Sequence, residues 1–308
     1  MQSSNENNQE LPRQGLVISY FGNSVAVEAD DGQVFQCHLR RNQELPVVGD
    51  RVRWQLEKGD TGTIIEILPR KSQLVRGDSK GKSKVIAANV DVIAIVMAPP
   101  PIFSEYLVDR YLVAAELLNI HPVLVLNKVD LLDASTLKST NERLDTYRQI
   151  PYPVILSSIY TQDGLSELSQ HLNGKTAVLV GPSGVGKSSI ISALANLDIR
   201  TGDVSAKGAG KHTTTATRLY HLPEGGHLID SPGVREFNLW QVNKQDVLRG
   251  FKEFQQALSG CKFRDCQHLV EPGCAVQEAV AHGKISSNRF MSYQELMKQA
   301  ASYNNKYS

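Results

Sequence analysis

The stretch "TAVLVGPSGVGKSSIISALANL" restricts what this chain can fold into more than any other segment. Its centre, Gly181 to Ser188, fits G-x-x-x-x-G-K-S at every defined position. An apolar run precedes it and a helical pattern follows. Such a loop gathers backbone amides between a strand's carboxyl end and a helix's amino end, so it requires an open, largely parallel sheet. Gly181, Gly184 and Gly186 let the amides turn inward around phosphates. Lys187 would reach the β- and γ-phosphates, and Ser188 would ligate Mg²⁺.

The surrounding pattern supplies that sheet. From Asn89, "VDVIAIVMAPP", "HPVLVLN", "PYPVILSS" and "TAVLVG" read as strands buried on both faces. Helices are predicted between them at about Ser104–Leu118, Ser135–Gln149 and Asp163–Leu172. Alternation of this kind predicts a doubly wound α/β domain with its ligand at the strands' carboxyl ends. "NKVD", Asn127 to Asp130, begins at such an end. Asp130 can accept hydrogen bonds from guanine N1–H and the 2-amino group, donors that adenine lacks there. Asn127 would brace neighbouring loops, and Lys128 would lie along the purine face. Ser157-Ser158, after the next strand, is placed to contact guanine O6.

"LIDSPG" ends another apolar strand in Asp230, which could hold Mg²⁺ through water; Gly233 could offer its amide to the γ-phosphate. Between these elements, "GKHTTTATR" supplies Thr213, Thr214 and Thr215, each suited to donate a hydroxyl oxygen to Mg²⁺; Thr214 stands for them in the candidate set. The elements run base, base, phosphate, switch, switch. A circular permutation accounts for that order, since domain termini often lie close together and the site is set by position in space.

Residues from about Gly15 to Leu68 read as five short strands around Gly-Asn, Asp-Asp-Gly and Gly-Asp turns, which predicts a small β-barrel, the OB fold foremost. Arg70 to Lys84 then carries six basic residues against the single Asp78 and reads as a mobile linker or surface loop. Arg76, Lys80, Lys82 and Lys84 are its candidate RNA contacts. The overall net charge of +1 conceals this segregation. Near the other end, Cys261, Cys266, His268 and Cys274 form C-x4-C-x-H-x5-C, a donor set for one structural Zn²⁺ in a mostly helical domain. Cys37 falls in a predicted strand and reads as a core residue. No run of about 18 apolar residues occurs, and "MQSSNENNQE" lacks a signal peptide's apolar stretch, so a cytoplasmic chain with a disordered tail over 1–14 is expected.

On "NKVD", "GPSGVGKSS", "GKHTTT" and "DSPGVREF", preceded by the barrel and followed by the Cys/His cluster, the chain resembles the circularly permuted GTPases of the RsgA/YjeQ family. The resemblance covers nearly everything after the tail. It implies an OB-fold RNA-binding domain over 15–70, a basic linker over 71–84, a permuted GTPase domain over 85–238 and a zinc domain over 239–308. It also implies hydrolysis of GTP to GDP and phosphate, slow alone and faster on the small ribosomal subunit, late in that subunit's maturation. Val129, Pro182, Ser183, Val185 and Ser189 join the candidate GTP contacts through the matched motifs.

Many GTPases orient the attacking water with a Gln directly after D-x-x-G, where this chain has Val234. His212, beside the threonines, is the candidate replacement and resembles the family's catalytic histidine. A contact to RNA or solvent is the bland alternative for it. The second functional reading is an rRNA-binding placeholder that needs GTP bound but not split. A monomer is expected.

Overall fold

The computed structural model describes residues 11–22, 24–40, 43–57, 59–77, 83–99, 103–161, 163–197, 217–231 and 242–307, with side chains as far as 300. At the amino end, β1 (Arg13–Tyr20), β2 (Ser24–Ala29), β3 (Val34–His38), β4 (Arg51–Leu56) and β5 (Thr61–Ile67) pair in the order β1-β2-β3-β5-β4. Pairing of β1 with β4 closes the cylinder, and β3 runs parallel to β5. This is the OB arrangement. Alternation along each strand sends Val17, Val25, Val27, Val52, Ile64 and the Phe35–Trp54 pair inward. Cys37 is buried among them, as expected, and burial pushes its thiol up to about 12. Strand β1 starts at Arg13, inside the stretch read as tail.

The basic segment is a corrected expectation. Instead of a linker, β6 (Gln73–Gly77) and β7 (Ser83–Ala88) form an antiparallel ribbon. Its alternation buries Leu74 and Ala87 in the main core, which fixes the ribbon's base, while Arg76 and Lys84 pair on its exposed side. Lys80 and Lys82 lie outside the described residues. Below the ribbon, the buried Asp50 carboxylate receives a two-point contact from Arg70, at 2.7 and 2.8 Å, and ties the barrel's exit to β4.

The second sheet follows from the apolar runs. Strands β8 (Val92–Met97), β9 (His121–Leu126), β10 (Val154–Leu156), β11 (Thr176–Val180) and β13 (His227–Asp230) are parallel neighbours in the order β10-β9-β8-β11-β13. Strand β12 (Arg218–His221) runs antiparallel at the edge. Helices α1 (Glu105–Leu117), α2 (Ala134–Gln149), α3 (Leu165–Leu172) and α4 (Lys187–Leu194) cover the two faces as separate apolar layers. Ser104 and Asp133 cap α1 and α2 by accepting from the amides of Leu107 and Thr136. A single bridge, Ser19 to Arg218, joins the barrel's β1 to β12, so both sheets form one eleven-stranded surface.

The carboxyl-terminal region contains α5 (Lys244–Gly250), the short α6 (Gln255–Leu258), α7 (Ala275–Ala281) and α8 (Ser287–Tyr307). Phe251, Phe254 and Tyr293 form its aromatic centre and pack on Val113 of α1. Beside them, Arg289 is buried between two carboxylates. It meets Asp109 of α1 at 2.7 Å and Glu253 at 2.7 and 3.0 Å, while the Tyr147 hydroxyl donates to Asp109 at 3.1 Å. Burial pushes the Asp109 carboxyl upward, and Arg289 pulls it back. No helix among the described residues is long and apolar enough to cross a membrane.

Arg289→Met should strand a buried carboxylate and lower unfolding stability by about 3–5 kcal/mol in urea titrations. Without its cation, Asp109 has a folded pKa above the unfolded one, so the variant is penalised most where the carboxylate must stay ionised. The deficit against the parent protein should therefore shrink as pH falls from neutral toward the ordinary carboxylate range.

Candidate functional site

The phosphate loop leaves β11 and enters α4, as its flanks require. Gly181 has a φ of +138°, and a Cβ there would stand 2.2 Å from the Val96 carbonyl oxygen on the neighbouring β8. Gly186, at φ +96°, caps α4 and packs so closely on the base-reading loop that a Cβ would meet Asn127 Nδ2 at 2.3 Å. Both glycines are demanded by close approach. Lys187 is buried, and its ammonium bonds the carbonyls of Gly181 and Pro182 at 2.7 and 2.6 Å. Tyr111 of α1 hydrogen-bonds the Gly181 backbone from the helix side, and burial raises its phenol pKa so that it stays neutral. Ser188 and Ser189 follow in α4's first turn, Ser188 exposed.

The structure brings "NKVD" against that loop. Asn127, 1% exposed, donates from Nδ2 to the Val185 carbonyl at 2.9 Å. Lys128, held at φ +60°, donates to the Gly184 carbonyl at 2.7 Å. Its aliphatic stem is thereby stretched between the two loops. The Val129 amide bonds Ser157 O at 3.2 Å, fastening this loop to the end of β10. Asp130 is exposed at the start of a 3₁₀ turn, and the Ser158 hydroxyl donates to its Oδ1 at 2.5 Å. That contact fixes one carboxylate oxygen and leaves the other available to a ligand's paired N–H donors.

Sequence reasoning missed one position here. Ser158, the second of the two serines expected near O6, orients Asp130, so the residue next along the loop, Ile159, becomes a further candidate for an amide contact to O6. The Tyr160 amide already bonds the Ser158 hydroxyl at 3.1 Å. Counting outward from the last apolar residue of β10, Leu156, would have given this register. Asn127 Oδ1 and Ser157 Oγ are buried and find no hydrogen-bond partner among the described residues. A mostly apolar cavity of about 340 Å³ adjoins the loop on its α1 side, walled by Met97, Phe103, Leu107, Tyr111 and Pro182.

Asp230 ends β13, whose neighbour across the ladder is the phosphate-loop strand β11. A hard cation would take the Ser188 hydroxyl and a water held by the Asp230 carboxylate, oxygen donors of the kind Mg²⁺ prefers. Thr214, Gly233 and His212 lie outside the described residues.

The Cys/His cluster assembles as expected. Ligand atoms of Cys261, Cys266, His268 and Cys274 all lie within 4.8 Å of one another. His268 Nδ1 is 3.5 Å from Cys261 Sγ and 3.3 Å from Cys274 Sγ. Tetrahedral zinc, with Zn–S near 2.3 Å and Zn–N near 2.0–2.1 Å, requires roughly 3.5 Å between nitrogen and sulfur, so the cage fits. Burial lowers the His268 pKa and favours the neutral ring that ligates metal. Burial and the neighbouring thiols push Cys266 up to about 12, a state that a cation would reverse.

Phosphate loop, base-reading loop and acidic strand end converge on one sheet edge in permuted chain order, which defines a P-loop GTPase fold. Residues 67–240 match the family described as RsgA GTPase. The crystal structure of YjeQ from Thermotoga maritima is 33% identical over 94% of this chain and 99% of that one, with a TM-score of 0.78. YloQ, described as a circularly permuted GTPase, is 29% identical over 97% and 99% of the two chains, with a TM-score of 0.76. The chain belongs to the RsgA GTPase family.

Asp130→Asn should exchange an acceptor for a donor, weakening GDP by roughly 10²-fold and shifting preference toward xanthosine diphosphate in competition titrations. Chelation with a strong zinc ligand, or Cys266→Ser, should release one equivalent of zinc per chain by colorimetric assay. Loss of far-ultraviolet helical signal should accompany it.

Proposed function

We propose that this chain hydrolyses GTP on the small (30S) ribosomal subunit, acts late in that subunit's maturation, and leaves when GTP becomes GDP. The observation that carries the nucleotide half is the pair of bonds from Asn127 and Lys128 to the phosphate loop, which brings a base-reading carboxylate and a phosphate cradle into one site. Family membership supports hydrolysis and a ribosomal setting. The OB barrel and the exposed cations Arg76 and Lys84, facing one another across the ribbon, support rRNA contact. Lys80 and Lys82, outside the described residues, complete the candidate RNA contacts. The expected setting is cytoplasmic and the expected state a monomer.

In the reaction, water attacks the γ-phosphorus in line with the bond to GDP, which breaks as phosphate is released. Lys187 would neutralise charge growing on the phosphate oxygens, and loop amides from Ser183 to Ser188 would hold them in place. Mg²⁺, when bound, would supply further charge stabilisation through Ser188, Thr214 and the water held by Asp230. His212 would orient the water, its neutral imidazole suited to that task near neutral pH. Loss of the γ-phosphate would release the Gly233 amide, and the chain beyond Gly233 leads toward the zinc region.

Val234, which cannot orient water, favours a second reading: a placeholder whose role requires bound GTP without cleavage. Single-turnover hydrolysis with purified small or large subunits separates the two. Small subunits alone should accelerate cleavage, and His212→Ala should lower the accelerated rate by roughly 10²-fold with GTP affinity retained. Unaccelerated cleavage in the parent protein would favour the placeholder, and an undiminished variant would remove His212 from the chemistry.

A further inference from the structure

Thr217 and Ser231, which lie next to β12 and β13, touch each other, and Thr217 touches the barrel. Ser19, Arg218 and Asp230 form one cross-strand row over β1, β12 and β13. At the same level, the Ser19 hydroxyl donates to the Thr217 carbonyl at 3.2 Å, and the Thr217 hydroxyl donates to Ser231 Oγ at 2.9 Å. Ser19 and Ser231 are 6% and 3% exposed, so little water competes for these contacts. The ladder of β1 shifts register between Val17 and Ser19, next to this row. Bulges commonly re-aim side chains beside functional sites.

We infer that Thr217 is a positioning residue that couples the OB barrel to the phosphate-sensing face of the nucleotide site, so that a ligand on the barrel and the γ-phosphate bias each other. Thr217 follows the candidate Mg²⁺ threonines by two residues or more, and its hydroxyl holds the residue after Asp230. Its carbonyl is held by β1. A displacement of β1 therefore reaches Ser231, the residue after Asp230, through Thr217, and any coupling free energy between barrel ligand and nucleotide must run equally in reverse. The direct partners are hydroxyl and carbonyl groups, so the coupling needs no change of charge. The inference rests on the GTPase reading above and extends it to the barrel, the part of the chain proposed to hold rRNA.

Hydrogen exchange over Arg13–Tyr20 tests this in the full-length protein, comparing GDP with a non-hydrolysable GTP analogue, each with Mg²⁺. The parent protein should exchange this strand at different rates in the two states. Thr217→Val, which keeps shape and carbonyl, should erase the difference with GDP affinity intact, and Thr217→Ser should restore it. Equal exchange in both states of the parent protein, or a difference that survives Thr217→Val, overturns the inference. In a second arm, Ser19→Ala should bind small subunits normally and hydrolyse GTP alone at the parent rate. Its stimulation by the subunit should fall by about 5-fold or more. Full stimulation of Ser19→Ala also counts against the coupling. A parent protein that shows the exchange difference without subunit stimulation retains the coupling and loses the ribosomal reading.

Discussion

Asn127, pressed against Gly186 and bonded to the Val185 carbonyl, is the contact on which the site depends. It is buried, it lies between two loops that are 58 residues apart in sequence, and it allows no side chain at Gly186. Base recognition and phosphate binding are thereby held at one spacing. Strand β8, between β9 and β11 in the sheet, sets the distance that this contact closes. The order in which the chain visits those strands has no bearing on the spacing, which is why a permuted sequence can retain the site.

The same logic separates what could be read from the sequence from what could not. Apolar runs and glycine spacing located β8, β9, β10 and β11 and both loops, because each reports its own backbone requirement. Three neighbouring thiols and an imidazole likewise declare their chemistry through spacing. The ribbon of β6 and β7 escaped because its basic residues dominate composition, while the alternation that buries Leu74 and Ala87 is short. Ile159 was left out of the candidates because a three-residue strand leaves its own end ambiguous. Tyr111, Ser19 and Thr217 carry no motif at all. Their roles come from tertiary contacts, which periodicity does not encode.

Helix α1 connects regions that the chain order keeps apart. One face sends Tyr111 to the phosphate loop, and another sends Asp109 to Arg289 and Val113 to the zinc-region core. A buried ion pair of this kind adds little net stability over apolar packing, but an unmatched half is penalised heavily. It therefore favours one docking of the carboxyl-terminal helices over near alternatives. The Cys/His cage, with a metal bound, would then hold a loop whose own apolar content is small.

The junction of barrel and GTPase sheet also has a consequence for self-association. Open ladder edges invite pairing with foreign strands, and short or covered edges discourage it. The barrel closes on itself, β12 is covered where β1 crosses it, and the opposite border is β10, only three residues long. Among the described residues, the eleven-stranded sheet therefore leaves little backbone for another molecule to zip onto, and the separate two-stranded ribbon of β6 and β7 is where a foreign strand would find an open ladder edge.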